Sequence, residues 1–287
     1  MTRAIPPTSA PGTLFVVATP IGTLADLSPR AREVLASVAV ILAEDTRRTG
    51  KLLAAAGIST KLLAFHEHNE SKVLPTILAK LQAGMSVALV SDAGTPLLCD
   101  PGYRLVRACR LAGLPVAAVP GPSAVTAALS VAGLPPYPFT FLGFLPPKGE
   151  ARKRFLRRFA GLDHTLVVFL SPHRLSAELA DCAEVLGGER EACLLAELSK
   201  VHERCEHGTL GALAEKTHLA KGEFTLVVGP PPQAPPREPQ AHEAQALVRE
   251  LLAQGFSPGE AKRLAAEKLG VSRKKLYELL EAAKSEA

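Results

Sequence analysis

Cysteine is scarce in this chain: Cys99, Cys109, Cys182, Cys193 and Cys205 form an odd, scattered set with no Cys-x-x-Cys. That spacing argues against both a disulfide framework and a zinc site, and it fits a reducing cytoplasm, the expected location. Long apolar runs are also missing. Residues 38–43 and 165–170 fall far short of the ~20 residues a membrane-spanning helix needs, so no membrane partner is expected. The opening MTRAIPPTSAPG has no apolar core, which speaks against a secretory signal. No Walker A sequence occurs, no G-x-G-x-x-G follows a strand, and there is no G-x-S-x-G elbow. The usual ATP and dinucleotide phosphate cradles and the serine-hydrolase nucleophile are thereby excluded.

What is present is an ordinary globular composition, 47% hydrophobic and 21% charged over 287 residues, a length that suits two domains and a small appendage. In residues 12–138, buried-strand patterns at 14–18, 38–42, 87–91 and 115–119 alternate with helical stretches at 71–83 and 102–112. Ser28-Pro29 is a helix start, a capping hydroxyl followed by proline at the first helical position. Continuous apolar strands alternating with helices predict a mostly parallel sheet covered on both faces. A second α/β domain is expected over 139–229, with strands at 165–170, 192–198 and 224–228. Residues 230–241 read as a linker, with six prolines between Pro230 and Pro239. Residues 242–287 read as three short helices resembling a helix-turn-helix module, with Arg273, Lys274 and Lys275 opening the third. That module suits either a nucleic-acid contact or docking to a partner.

In open α/β sheets, ligands collect at the carboxyl ends of the strands. Three loops stand there, each rich in residues that let backbone approach a ligand: 19–26, 91–96 and 120–124. Residues 43–49, Ala-Glu-Asp-Thr-Arg-Arg-Thr, place Glu44 and Asp45 beside Arg47 and Arg48. Such a cluster orients a hydroxyl and takes its proton, or it is a structural ion-pair network. His66-Glu67-His68 has no third ligand at a recognisable spacing, so polar loop residues are expected there and no metal. Between Lys148 and Arg158 the six cations Lys148, Arg152, Lys153, Arg154, Arg157 and Arg158 face only Glu150, and this run carries the whole net excess of +5. It reads either as a phosphate-binding patch or as a solvated helix face.

Taken in order, these segments resemble the tetrapyrrole methylase superfamily, and within it the branch that methylates 16S ribosomal RNA. The residues that carry the likeness are Thr19-Pro-Ile-Gly with Leu24-Ala-Asp, Ala43-Glu-Asp-Thr-Arg, His66-Glu-His-Asn-Glu, Leu89-Val-Ser-Asp-Ala-Gly-Thr-Pro-Leu, Asp100-Pro-Gly and Pro120-Gly-Pro-Ser-Ala. Gly143-Phe-Leu-Pro, Ser171-Pro-His-Arg-Leu, Glu197-Leu-Ser-Lys and Lys221-Gly-Glu continue it to about Gly229. The resemblance implies a homodimeric two-domain α/β enzyme with S-adenosylmethionine in the cleft between the domains. It also implies methylation of the ribose 2'-oxygen of a decoding-centre cytidine in the small ribosomal subunit. By motif, Pro20, Asp92, Ala93, Gly94, Thr95, Leu98, Ser123 and Ala124 line the cofactor pocket, with Leu170 facing it from the second domain. Glu44 or Asp45 is the candidate base, Arg47 and Lys200 are orienting cations, and the six cations of 148–158 hold rRNA phosphates.

The chain departs from that pattern at three positions. Leu170 and Ala196 stand where the branch commonly has a glutamate and an arginine, and Thr23 stands where it usually has asparagine. The expectation is that the missing acid and arginine formed a facing pair on neighbouring strands and were lost together, since replacing both members of a buried pair by apolar groups can be neutral. Two other readings compete: a methylase of a small tetrapyrrole such as a precorrin, and a non-catalytic rRNA-binding assembly factor.

Overall fold

A computed structural model of the chain describes residues 10–216, 221–232 and 239–285. Half of the proline-rich linker expected at 230–241, residues 233–238, lies outside them. The chain divides into two compact units, 1–232 and 233–287.

The first unit contains two five-stranded sheets. Its chain order begins β1 (Leu14–Val17), α1 (Pro29–Ser37), β2 (Val40–Ala43), α2 (Thr46–Ala55), β3 (Leu62–Ala64), α3 (Glu70–Gln82), β4 (Val87–Leu89), α4 (Tyr103–Leu111), β5 (Val116–Val119) and α5 (Ala124–Val131). The first sheet is wholly parallel in the order β3-β2-β4-β1-β5. Alternate side chains of each strand point to opposite faces, so both faces must be covered. Leu35 of α1 and Leu53 of α2 pack with Val17, Ile41 and Val90 on one side. On the other, Ile77 and Leu81 of α3 and Leu105 of α4 pack with Leu14, Leu42 and Leu89. Ser28 caps α1 as its sequence predicts, its hydroxyl accepting from the Ala31 N–H at 3.1 Å.

The chain continues with β6 (Phe139–Phe144), α6 (Gly149–Arg157), β7 (Thr165–Leu170), α7 (Leu175–Leu186), β8 (Glu191–Ala196), β9 (Arg204–Thr209), α8 (Leu210–Lys216) and β10 (Phe224–Val228). The second sheet is mixed, in the order β6-β7-β10-β8-β9: β6 and β7 are parallel and the remaining pairs antiparallel. Helices α6, α7 and α8 cover one face through Leu156, Leu179 and Leu213. The other face is covered by α5, whose Val125, Ala128 and Leu129 pack with Val167, Cys193 and Val227. Thus α5, which follows the last strand of the first sheet, belongs by its packing to the second.

At the end of the second sheet where β7 begins and β10 ends, Arg190 is 1% exposed. Its Nε donates to the Gly229 carbonyl at 2.7 Å and one terminal nitrogen donates to the His164 carbonyl at 3.2 Å. Burial lowers its pKa from the usual guanidinium value.

The pairing inferred for positions 170 and 196 needs correction. They are not on neighbouring strands: β10 runs between β7 and β8, and Phe224 is opposite both Leu170 and Ala196. The three side chains share one face and one core. The apolar Phe224 fills the space across which an acid and an arginine would have to reach.

The second unit holds α9 (Ala241–Ala253), α10 (Pro258–Lys268) and α11 (Arg273–Ser285), with Val248, Leu251, Ala265 and Leu276 at its core. Ser257 and Glu260 form a capping box that starts α10. No helix among the described residues is long and apolar enough to cross a membrane.

Candidate functional site

The first sheet is parallel, so its strands deliver their following loops to one edge. The loops after β1, β4 and β5 meet there and are tied together. Thr19 and Gly94 bridge through their backbones, the Thr19 hydroxyl donates to the Ser91 carbonyl at 3.2 Å, and the Thr95 hydroxyl donates to the Pro122 carbonyl at 3.1 Å. A cavity of about 400 Å³ lies between this edge and the second sheet, within the usual range for small-molecule sites. From the first sheet it is lined by Ile21, Glu44, Arg48, residues 92–95, residues 98–100 and residues 123–125. Phe144, Phe169, Leu170, Pro172, Leu198 and residues 222–225 close it from the second.

Of the residues expected at the cofactor, Asp92, Ala93, Gly94, Thr95, Leu98, Ser123, Ala124 and Leu170 lie on this wall, and Pro20 does not; its neighbour Ile21 takes that place. Leu170 is 1% exposed and packs in the core of the second sheet, so it contributes a floor more than a contact surface.

Two stretches of the wall hold strained backbone. Leu97 and Cys99 have φ of 75° and 73°, and Glu197 and Ser199 have 57° and 63°. Such left-handed conformations cost energy for residues with side chains and persist where the surroundings enforce them, often at ligand sites. Each pair flanks a leucine, Leu98 or Leu198, which it turns onto the wall of the cavity.

A clasp joins the two sides. The Thr23 hydroxyl donates to the Ser199 carbonyl at 2.6 Å, and the Ser199 hydroxyl donates to the Asp26 carboxylate at 2.7 Å. Gly22 makes this approach feasible, because a Cβ there would fall 2.5 Å from the Ser199 oxygen. Thr23, the residue that departs from the branch pattern, therefore has a defined partner.

Charge within the cavity is lopsided. Its lining carries Glu44, Asp92, Asp100 and Glu223 against Arg48. The Asp92 carboxylate accepts from the Asp45 N–H at 3.0 Å, and Arg48 lies 3.6 Å from Asp92 and 3.7 Å from Glu223. Burial, with Glu44 and Asp92 nearby, pushes Asp100 up to about 7. Burial followed by repulsion from Asp92 and Glu67 also raises Glu44. In the sequence Asp100 stands out only as the first residue of the Asp100-Pro-Gly motif, which carries no assigned role. An acid four residues beyond the 91–96 loop is the available signal, but its burial is not visible in the sequence.

The remaining candidates fall outside the cavity wall. Asp45 caps α2, its carboxylate accepting from the Arg47 N–H at 2.8 Å and from the Arg47 guanidinium. The Arg47 side-chain hydrogen bond is the main reason its pKa falls to about 2, which makes Asp45 a weak base. Arg47 is 88% exposed on its side chain and faces away. Lys200 binds Glu197 at 2.9 Å and Glu223 at 3.2 Å, bracing the loop opposite the cavity. The 66–70 loop is structural at two of its positions: Asn69 holds the His66 N–H and the Ala64 carbonyl, and the Glu70 carboxylate accepts from the Leu105 N–H.

The basic run lies on α6 and needs a correction. Arg152 is only 4% exposed; its guanidinium is spent on Asp181, at 2.6 Å from Nε, and on the Pro146 and Pro147 carbonyls. Lys153 is paired with Glu184 and Asp181. Lys148, Arg154, Arg157 and Arg158 are the exposed cations. The last three are spaced i, i+3 and i+4 and so share one helix face. Arg158 also lies over the rings of Phe155 and Phe159 at 5.7 and 5.5 Å.

Comparison with known proteins agrees with this architecture. Residues 13–214 match the family model of the tetrapyrrole (corrin/porphyrin) methylases. The chain is 48% identical over 274 residues to a ribosomal RNA small subunit methyltransferase I of Xylella fastidiosa, covering 94% of this chain and 99% of that one. It is 45% identical to the protein of the same name from Escherichia coli O157:H7, covering 93% of each. Among solved structures it resembles a Thermus thermophilus uroporphyrin-III C-methyltransferase complexed with S-adenosylhomocysteine, with TM-score 0.55, 22% identity, and coverage of 76% of this chain and 97% of that one. A diphthine synthase aligns with TM-score 0.60 at 16% identity over 76% of this chain and 89% of its own. Those two likenesses speak to the fold. With its two sheets, the cavity between them and near-full-length relatives, the chain belongs to the tetrapyrrole methylase family, in the group of ribosomal RNA small subunit methyltransferase I proteins.

Proposed function

We propose that this chain is an S-adenosylmethionine-dependent methyltransferase acting on ribosomal RNA of the small subunit. Within that reading, the acceptor is the ribose 2'-oxygen of a decoding-centre cytidine. The observation that carries the proposal is near-full-length identity to relatives named for small-subunit rRNA methylation, and the chemistry of the cavity fits it.

Carboxylates outnumber cations on the cavity wall, which favours a ligand bearing positive charge. Leu98, Leu198, Phe144 and Phe169 offer apolar surface for a nucleoside, and the backbone of residues 93–95 and 123–124 offers polar groups. When bound, S-adenosylmethionine supplies an already activated methyl group on a sulfonium.

The protein then has to hold donor and acceptor in line, keep water out, and receive the acceptor's proton. A ribose hydroxyl is a poor nucleophile while neutral, and a base works best with a pKa near the working pH. Asp100, at about 7, meets that condition; Glu44 is its raised neighbour, while Asp45, at about 2, does not. In this mechanism Asp100 accepts the 2'-hydroxyl proton directly or through a water, and Arg48 holds Asp92 and Glu223 in place. The exposed face of α6 holds rRNA phosphates, and the clasp between Thr23 and Ser199 keeps the two walls closed on the donor.

The test is transfer of labelled methyl from S-adenosylmethionine to unmethylated small ribosomal subunits, with free 16S rRNA alongside, followed by mapping of the modified nucleotide. Label in a single decoding-centre ribose supports the full proposal. Label on a base overturns the 2'-oxygen assignment. Cofactor binding with no label in RNA overturns the rRNA reading and leaves a small-molecule acceptor or a non-catalytic factor.

A further inference from the structure

Strand β9 is polar, lies at the edge of the second sheet, and has no part in the cavity. Its pairing with β8 places Cys193 opposite His207 and Leu195 opposite Cys205. Residues two apart on a strand share a face, so Cys205 and His207 project together on the side from which Cys193 projects. The three donor atoms converge. Cys193 Sγ is 2.9 Å from Cys205 Sγ and 3.7 Å from His207 Nε2, and Cys205 Sγ is 3.2 Å from the same nitrogen. Cys193 is buried, whereas Cys205 and His207 reach solvent, so an ion has a way in.

We propose that Cys193, Cys205 and His207 bind one Zn2+ ion through two thiolates and one imidazole nitrogen, with water as the fourth ligand. Two sulfurs and a nitrogen are the donor set this metal prefers. Zn–S bonds of about 2.3 Å and Zn–N bonds of about 2.0 Å at tetrahedral angles put sulfur atoms about 3.8 Å apart and sulfur about 3.5 Å from nitrogen. The Cys193–His207 edge already has that length, and turning the exposed Cys205 side chain opens the other two.

A disulfide is the competing use of the same thiols. Cys193 and Cys205 are diagonal partners, not opposite ones, and diagonal residues on paired strands lie about 7–8 Å apart. That exceeds the usual Cα separation of a disulfide. On binding, each thiol gives up its proton to solvent and forms a metal–sulfur bond, with no change of oxidation state. The ion would pin an edge strand that is held to the sheet only along β8.

The full chain, stripped with chelator under reducing conditions, is titrated with Zn2+ against a chromophoric competitor, and in parallel with Co2+. The expected result is one equivalent per chain and a cobalt spectrum with thiolate charge-transfer bands and tetrahedral d–d bands. Cys205→Ser and His207→Ala, both on the exposed edge, should each weaken binding by about tenfold or more, and the double variant should abolish it. Zinc should raise the melting temperature of the wild type and leave that of the double variant unchanged. Absence of binding at micromolar zinc, equal affinity in wild type and double variant, or a Cys193–Cys205 disulfide in place of bound metal would each overturn the assignment.

Discussion

The cavity and the outer face of α6 carry opposite charge in one small protein. The cavity wall sets four carboxylates against Arg48. The α6 face presents Arg154, Arg157 and Arg158 with Glu150 beside them, and Lys148 stands exposed just before the helix. A net charge of +5 describes neither region. The cavity field is short-ranged and sheltered, while the helix field is open to salt, which screens exposed charges beyond about 8–10 Å. The difference fits the proposed pair of ligands of opposite sign, a cationic methyl donor inside and a polyanion outside.

The sharpest way to break this comparison is at Asp100. Asp100→Asn should lower kcat by about 10²–10⁴-fold and remove the rise in rate through pH 7 that the wild type is expected to show. Stability should move the other way. A carboxyl whose pKa is raised on folding costs stability as pH rises from its unfolded value near 3.8 to about 7, so the amide should melt higher than wild type at pH 8 and gain little at pH 4. A pH–rate profile and melting curves for both proteins check this; an unchanged rate profile would transfer the proton-accepting role to Glu44.

Next in size is Arg152→Ala. Breaking this buried pair leaves Asp181 only its 3.6 Å contact with Lys153 and should cost about 3 kcal/mol in denaturant unfolding. Arg154→Ala with Arg157→Ala should instead leave unfolding within about 0.5 kcal/mol while weakening rRNA binding. For two lost single-strand phosphate contacts, the slope of log affinity against log salt should fall by about 1.4. Affinity for S-adenosylmethionine, measured by calorimetry, should not change. If the two variants weaken rRNA equally at matched stability, the division of α6 into an internal and an external set is wrong. The smallest effect is expected at the clasp. Thr23→Val removes one hydrogen bond, worth about 0.5–1.5 kcal/mol, and should raise the donor KM a few-fold with little change in melting.

Much of the first sheet was legible because parallel strands buried on both faces are written as unbroken apolar runs: 14–18, 87–91 and 115–119 contain the observed strands, and 38–42 overlaps β2 in all but its last residue. The edges were not. β3 is three residues long, and β9, Arg-Cys-Glu-His-Gly-Thr, has no apolar alternation because its outer side faces solvent. Losing β9 also concealed the cysteine and histidine cluster, since no linear spacing links Cys193 to Cys205-x-His207; only strand register does. At the candidate site, the loops of glycine and hydroxyl residues were readable from their position after strands. The partner of Arg152 and the second partner of Lys200 were not, because Asp181 on α7 and Glu223 before β10 are distant in sequence. Charge counting identified where the cations are concentrated, but only packing showed which of them are already neutralised.

Arg190 has a mechanical meaning. By gripping the Gly229 carbonyl, it fixes the chain one residue beyond β10, before the prolines begin. A pull arriving along the polypeptide from the C-terminal helices would load this guanidinium and the His164 carbonyl first. Strand β10, which begins at Phe224 on the cavity wall, is laddered to β7 and β8 along its length, and the Gly229 N–H donates to the Glu191 carbonyl at 2.8 Å, so Arg190 reinforces bonds that already resist such a pull. Arg190 thus adds a buried side-chain anchor to the backbone bonds that hold this end of the first unit in place.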